Sequence, residues 1–94
     1  MSSPNTADAT LTLTNKVGLH ARPASLFVQT AARFAARVVV TCEGRTAEAK
    51  SILQVLQLGA GSGARLTIHA EGDDAAEAVA ALTALVESKF GEAE

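Results

Sequence analysis

The chain has one cysteine, few aromatic side chains and no long apolar run, and each shortage excludes a class of protein. With Cys42 as the only cysteine in 94 residues, no disulfide can form within the chain, which fits a reducing cytosol. An aromatic content of 3% and a net charge of −2 leave no basic, stacking surface for nucleic acid. No apolar run approaches the roughly 18 residues of a membrane-spanning helix, and residues 1–10 lack the pattern of a signal peptide. We therefore expect a cytoplasmic protein with no nucleic-acid partner and no membrane insertion.

The composition that remains is typical of one folded domain. Hydrophobic residues make up 48% of the chain and charged residues 19%, as in globular proteins. Residues 1–8 show no periodicity and are predicted to be a flexible lead, so the single domain is expected to cover residues 9–94. Within it, residues 9–14 alternate apolar and polar, which predicts a half-buried strand with Leu11 and Leu13 facing inward.

The rest of the chain switches between helical and strand patterns. A helix over residues 21 to about 35 is predicted from an apolar stripe of Ala24, Phe27, Val28, Ala31 and Ala35. The patterns after it predict strands at 37–43 and 45–49, a short helix ending at Gly59, a strand at 65–71 and a helix from 74 to about 90. The order βαββαβα, with alternating outer strands, predicts an α+β fold in which helices cover one face of a mostly antiparallel sheet.

The stretch VGLHARPASLFVQT, residues 17–30, places a histidine at the start of the first helix. Gly18 permits the positive φ of a tight turn, and Pro23 costs little in a first helical turn. The free N–H groups of Ala21 and Arg22 lie at the positive end of the helix, where an anion binds well, and the Arg22 guanidinium can bind phosphate oxygens. His20 is then either a nucleophile that accepts a phosphoryl group or simply a residue that caps the helix.

Two segments resemble the signatures of the HPr family, the phosphocarriers of the bacterial sugar phosphotransferase system. GLHARPA at residues 18–24 is similar to the family's active-site signature, KSILQVLQLG at residues 50–59 to its second signature, and the similarity extends over residues 10–90. The resemblance implies an open-faced β-sandwich, a four-stranded antiparallel sheet with three helices on one face. It also implies that His20 is phosphorylated through Nδ1 and that Arg22 assists transfer. The residues expected to shape the phosphate-site loop are Gly18, Ala21 and Pro23.

The function implied by the resemblance is a relay rather than the work of a stand-alone enzyme. Enzyme I would pass a phosphoryl group to His20, and sugar-specific permease components would receive it. The carrier is expected to be a monomer that needs no cofactor and no metal. Three alternatives stay open: a regulatory binding module, a carrier of a nitrogen-related phosphotransferase branch, and a small metabolite-binding domain.

Ser51 has a structural and a regulatory interpretation. The segment SILQ has the form of a capping box, in which Ser51 caps a helix and Gln54 reaches back. By the resemblance, Ser51 also matches the serine that HPr kinase/phosphorylase modifies, which would bring in a transcriptional regulator as a partner. We expect Val55 and Leu58 to face the core. The exposed apolar residues predicted to dock partners are Ile52, Leu53 and Leu56.

Three further features are expected to be structural. His69 lies on the polar face of its strand with no histidine, cysteine or acidic ligand at metal spacing, so we expect a solvated side chain. Cys42 lies on the apolar side of its strand and is predicted to be buried. Asp73 and Asp74 precede a predicted helix, where negative side chains are favourable.

Overall fold

The computed structural model describes residues 5–91, and its elements follow the predicted order. The strands and helices are β1 (Thr6–Thr12), α1 (Ala21–Ala32), β2 (Arg37–Cys42), β3 (Arg45–Glu48), α2 (Ile52–Gln57), β4 (Arg65–Glu71) and α3 (Ala75–Glu87). A turn of 3₁₀ helix at Lys89–Gly91 follows α3.

The four strands form one antiparallel sheet in the order β1-β4-β2-β3. Ile68 in the centre of β4 lies opposite Ala9 on one side and Val40 on the other. The three helices pack with the sheet around a single core in which Phe27, Leu66 and Ile68 are fully buried. The α+β open-faced sandwich predicted from the sequence is confirmed.

The opposite face of the sheet carries polar side chains. The register places one row of threonines across all four strands, Thr10 beside Thr67, Thr67 beside Thr41 and Thr41 beside Thr46. These threonines are exposed or half-buried, whereas the side chains between them along each strand face the helices. The alternation seen in the sequence therefore does mark one wet and one covered face.

β1 begins earlier than the sequence predicts. Thr6 pairs with Glu71 and Asp8 pairs with His69, so residues 6–8 belong to the sheet and the prediction of a flexible lead is wrong for them. Residues 6–8 contain no large apolar side chain, so the sequence pattern there is too weak to predict a strand, while the full length of β4 supplies a pairing partner for each of them. The first four residues of the predicted lead lie outside the described residues.

α1 ends earlier than predicted, at Ala32, and Ala35 is exposed rather than part of the apolar stripe. The carboxylate of Asp74 accepts hydrogen bonds from Ala35 N at 2.9 Å and Ala36 N at 2.8 Å, which fixes the chain as it leaves the helix for β2. Asp74 is the N-cap residue of α3 but makes no side-chain cap bond, so its carboxylate joins two elements instead.

The burial of Cys42 and the length of α3 were also predicted from the sequence. Cys42 is buried as predicted, and desolvation raises the pKa of its thiol. α3 ends at Glu87, short of the predicted residue 90, yet Phe90 in the following turn is buried. Within residues 5–91, none of the helices combines the length and the apolar character needed to cross a membrane.

Candidate functional site

The loop before α1 is held against the loop before β4. Leu19 is buried, and its N–H donates a hydrogen bond to Ala60 O at 2.8 Å. Gly18 has a φ of +61°, and a Cβ at this position would lie 2.6 Å from backbone atoms of Gly61. Glycine is therefore required twice here, for the turn that the sequence predicts and for a close approach that it does not.

Asn15 closes the same turn from inside the protein. Its side chain is fully buried, and Nδ2 donates to Gly18 O at 2.8 Å, while Gly18 N donates to Asn15 O at 3.4 Å. Sequence reasoning missed this residue, although an asparagine in a turn commonly bonds to nearby backbone. Because a buried amide is costly unless it is hydrogen-bonded, Asn15 is a positioning residue for the Gly18 turn.

His20 is the N-cap residue of α1, but its imidazole does not cap the helix. The backbone is extended, with φ −78° and ψ −175°, and His20 O accepts from Ala24 N at 2.8 Å. The side chain makes no cap hydrogen bond and is exposed to solvent. His20 therefore occupies the N-cap position as predicted, but its side chain takes no part in capping, and a partner molecule can reach the ring.

The residues after His20 make the start of α1 an electropositive site. Ala21 and Arg22 are the first two residues of the helix and are exposed, whereas Pro23, the third, is buried. The first turn contains no acidic residue. The N–H groups at this end have no carbonyl partners within the helix, so Ala21, Arg22 and the helix dipole together favour an anion beside His20.

Ser51 caps α2 as predicted, but Gln54 does not complete a capping box. Ser51 Oγ accepts from Gln54 N at 3.2 Å. The Gln54 side chain turns to the neighbouring strand, where Oε1 accepts from Glu48 N at 2.9 Å, while Ser51 N donates to Glu48 O at 3.0 Å. The backbone N–H of Glu48 lies on the free edge of β3. It donates to Gln54 Oε1, the oxygen that in a capping box would accept from Ser51 N.

α2 presents the predicted apolar surface. Val55 and Leu58 are buried, whereas Ile52, Leu53 and Leu56 are 42%, 64% and 40% exposed. Val17, which the sequence reasoning did not single out, is also exposed, at 49%. We call Ile52, Leu53 and Leu56, the three exposed apolar residues of α2, the apolar patch. It adjoins the His20 loop, because α2 packs against α1 and leads into the loop that holds Leu19.

The second histidine lies on the open face of the sheet in a different environment. His69 Nδ1 is 2.6 Å from Asp8 Oδ1, and Nε2 is 3.1 Å from Glu71 Oε2. The hydrogen bond with Asp8, followed by that with Glu71, raises the pKa of His69. His69 is partly exposed on the polar face as expected, with 41% of its side chain accessible, but the expectation missed its two acidic partners, because β1 starts early enough to place Asp8 beside it. Within residues 5–91, no group of three histidine, cysteine or acidic side chains is placed to hold a metal ion.

Comparison with known proteins finds close similarity along most of the chain. A family model described as "PTS HPr component phosphorylation site" matches residues 7–88. Phosphocarrier protein HPr of Cupriavidus necator is 43% identical over 83 residues, which cover 88% of this chain and 93% of that protein. HPr-like protein Crh of Halalkalibacterium halodurans is 45% identical over 74 residues, which cover 79% and 88%. The crystal structure of HPr-C-His from Thermoanaerobacter tengcongensis has a TM-score of 0.91 and 46% identity, covering 94% of this chain and 99% of that one.

Proposed function

The chain belongs to the HPr family of phosphocarrier proteins, and from this membership we propose that it carries a phosphoryl group on His20. The group would come from Enzyme I and pass to sugar-specific permease components. The observation that carries the proposal is the exposed imidazole at the start of α1, which makes no cap bond and faces solvent. The protein would thus be an intermediate in a chain of transfers rather than a stand-alone enzyme.

The proposed reaction is a transfer between two imidazoles. Nδ1 of His20 attacks the phosphorus of the donor's phosphohistidine, so a new N–P bond forms as the bond to the donor nitrogen breaks with its electron pair. In the next transfer, the imidazole of His20 leaves in the same way. Neither step requires a cofactor, a metal or a nucleotide.

The residues around His20 are proposed to steady the added charge without holding it tightly. The N–H groups of Ala21 and Arg22 and the Arg22 guanidinium attract the phosphoryl oxygens. Gly18 sets the turn, and the buried Pro23 anchors the first turn of α1. Because His20 and Arg22 are exposed, the phosphoryl group stays accessible to the next acceptor.

A labelling experiment with a matched control tests the assignment to His20. The unmodified protein, His20→Ala and His69→Ala are each incubated with phosphoenolpyruvate and purified Enzyme I and then analysed by intact mass and by acid and alkali treatment. We expect one acid-labile, alkali-stable phosphate on the unmodified protein and on His69→Ala, and none on His20→Ala. Normal labelling of His20→Ala, or loss of labelling in His69→Ala alone, would refute the assignment.

The apolar patch is proposed to be the docking surface for both donor and acceptor proteins. Ile52, Leu53 and Leu56 expose apolar side chains beside the His20 loop, and exposed apolar patches of this kind mark interaction sites. Since one face would serve successive partners in the cytoplasm, we propose that the carrier is a monomer. A carrier for a nitrogen-related branch would use the same surface with different partners.

A second function, regulation through Ser51, is favoured by one comparison. The solution structure described as "Crh, the Bacillus subtilis Catabolite Repression HPr" is 39% identical and covers 85% of this chain, and its description names a regulatory process. We propose that HPr kinase/phosphorylase modifies Ser51 and that the modified protein then engages a transcriptional regulator. Stoichiometric capture of such a partner by the Ser51-phosphorylated form, with no transfer through His20, would favour the regulatory function over the relay.

A further inference from the structure

A cleft lies between the edge strand β3 and α2, on a part of the surface that the proposed relay does not use. It has a volume of about 380 Å³ and is lined by Arg45, Thr46, Gln54, Gln57 and Leu58. This volume falls within the range of small-molecule sites. The lining contains one cation, two amides and a hydroxyl but no carboxylate, so its polar groups favour a negatively charged ligand.

Arg45 has no ion-pair partner within residues 5–91. Arg37, by contrast, pairs with Glu48 at 3.2 Å on the same sheet. Arg45 instead extends towards the end of α2, where a guanidinium nitrogen would lie 3.5 Å from a Cβ at Gly59. The guanidinium can therefore offer its planar set of N–H donors to a ligand in the cleft.

The hydrogen bond between Gln54 and Glu48 orients two further donors. Because Glu48 N donates to Gln54 Oε1, the N–H of Glu48 points out of the free edge of β3. Thr46 lies two residues earlier on the strand, so its N–H faces the same edge. The same bond uses the oxygen of the Gln54 amide and leaves its Nε2 as the donor group.

We propose that this cleft binds a small multivalent oxyanion, a phosphate ester or a polycarboxylate, on Arg45, the Thr46 amide and the side-chain amides of Gln54 and Gln57. The guanidinium binds two oxygens of one anionic group side by side, and the neutral donors complete its coordination. The site is separate from His20, and its occupancy does not depend on whether the protein carries a phosphoryl group.

A titration of the unphosphorylated protein, followed by ¹H–¹⁵N NMR, tests the proposal. The probes are glycerol 3-phosphate and citrate at constant ionic strength, with sodium chloride as the screening control. We expect saturable shifts of the Thr46 backbone amide and the Gln54 and Gln57 side-chain amides. Arg45→Gln removes the charge but keeps a polar side chain and should weaken binding by about tenfold or more. Gln57→Ala, also at an exposed position, should weaken it as well.

The controls separate this site from the anion site at α1. Arg65→Gln removes another exposed arginine at the start of a strand and should leave the binding constant unchanged. Shifts confined to Ala21 and Arg22, equal effects of Arg45→Gln and Arg65→Gln, or equal shifts with sodium chloride alone would each overturn the proposal. So would shifts that appear only when an acidic partner protein is added. None of these outcomes bears on phosphorylation of His20.

Discussion

Gly18 combines a backbone requirement and a packing requirement, and a matched pair of glycines separates them. Gly18 and Gly63 both have positive φ, but a Cβ would collide with the loop at residues 60–61 only at Gly18. A left-handed backbone alone costs a non-glycine residue about 1–2 kcal/mol. We expect Gly63→Ala to lose about that much stability and to accept phosphate normally. Gly18→Ala should lose more and should also accept phosphate more slowly, because the collision displaces the His20 loop.

Urea unfolding and labelling by Enzyme I measure the two effects separately. If Gly18→Ala and Gly63→Ala lost equal stability and were labelled at equal rates, contact with the neighbouring loop would have no part in positioning His20. If Gly18→Ala were labelled more slowly while its NMR spectrum showed an unchanged fold, the slower labelling would result from a displaced His20 loop.

At the residue scale, the spacing of residues correctly predicted those properties of a side chain that depend only on its neighbours in the sequence. The position of His20 at the start of a helix and the burial of Val55 both follow from spacing within one helix. The burial of Asn15 and the close approach at Gly18 could not be predicted in this way. The close approach at Gly18 depends on a loop around Gly61, which is distant in the chain and close only in the folded protein. The burial of Asn15 belongs to the same turn, through the bond from Asn15 Nδ2 to Gly18 O.

At the scale of one element, α2 lets the structural and the proposed regulatory role of Ser51 be separated. Ser51→Ala removes the oxygen that accepts from Gln54 N and should cost about 0.5–2 kcal/mol of unfolding free energy. Ser51→Asn and Ser51→Asp both keep an N-cap oxygen and should retain most of the stability. Only the aspartate adds a negative charge beside the apolar patch, so only Ser51→Asp should slow transfer from Enzyme I.

Urea unfolding and the initial rate of labelling are compared for the three variants, with Ser51→Asn as the uncharged control. Equal labelling rates for Ser51→Asn and Ser51→Asp would show that charge at this position does not affect docking. Ser51 would then act only as a helix cap.

The sequence predicted the central residues of the helices and strands more accurately than their first and last residues. The start of α1 was predicted correctly, but its end was predicted too late in the chain. Ala35 continues the apolar spacing of the helix, yet its N–H donates to Asp74 rather than to a helical carbonyl. β1 was predicted to start too late, because its first three residues contain no large apolar side chain and gain their strand conformation by pairing with β4. In both cases a long-range contact overrides the local pattern.

At the scale of the whole molecule, the alternating strands indicated a sheet with one wet face, but alternation does not specify the order of its strands. The central place of β4, between β1 and β2, follows from long-range pairing, and it was not predicted from the sequence. The Arg45 cleft was also out of reach, because its lining combines an edge strand and a helix whose relative position no local pattern sets.

The global stability is expected to depend on pH through two groups that act in opposite directions. The pKa of His69 is raised above its ordinary 6.5 by Asp8 and then Glu71. A raised pKa means that the folded state holds the proton more tightly, so this contribution is complete below 6.5 and is lost as pH rises through the folded value. For a half-exposed pair we expect about 0.2–1 kcal/mol. His69→Gln should be less stable than the unmodified protein just below pH 6.5, and the difference should vanish as the pH rises through the raised pKa of His69 and should shrink in salt.

Asp74 contributes to the loss of folding stability that is expected at acidic pH. The hydrogen bond from Ala35 N, together with that from Ala36 N, lowers the pKa of Asp74 below its ordinary 3.8. Its contribution is therefore complete above 3.8 and is lost as pH falls through the lowered value, when the carboxylate that joins α3 to the start of β2 is protonated.

Thermal unfolding from about pH 2 to pH 9 should accordingly show greatest stability between the two ranges. Asp74→Asn should lower the melting temperature at neutral pH, because its single carbonyl oxygen replaces a carboxylate that accepts from two N–H groups. The difference should narrow as acid protonates Asp74 in the unmodified protein. Asp73→Asn, one residue away and exposed, is the matched control and should leave the profile unchanged. If Asp73→Asn and Asp74→Asn flattened the acid side equally, general charge near α3 would explain the slope, and the bonds to Ala35 and Ala36 would not.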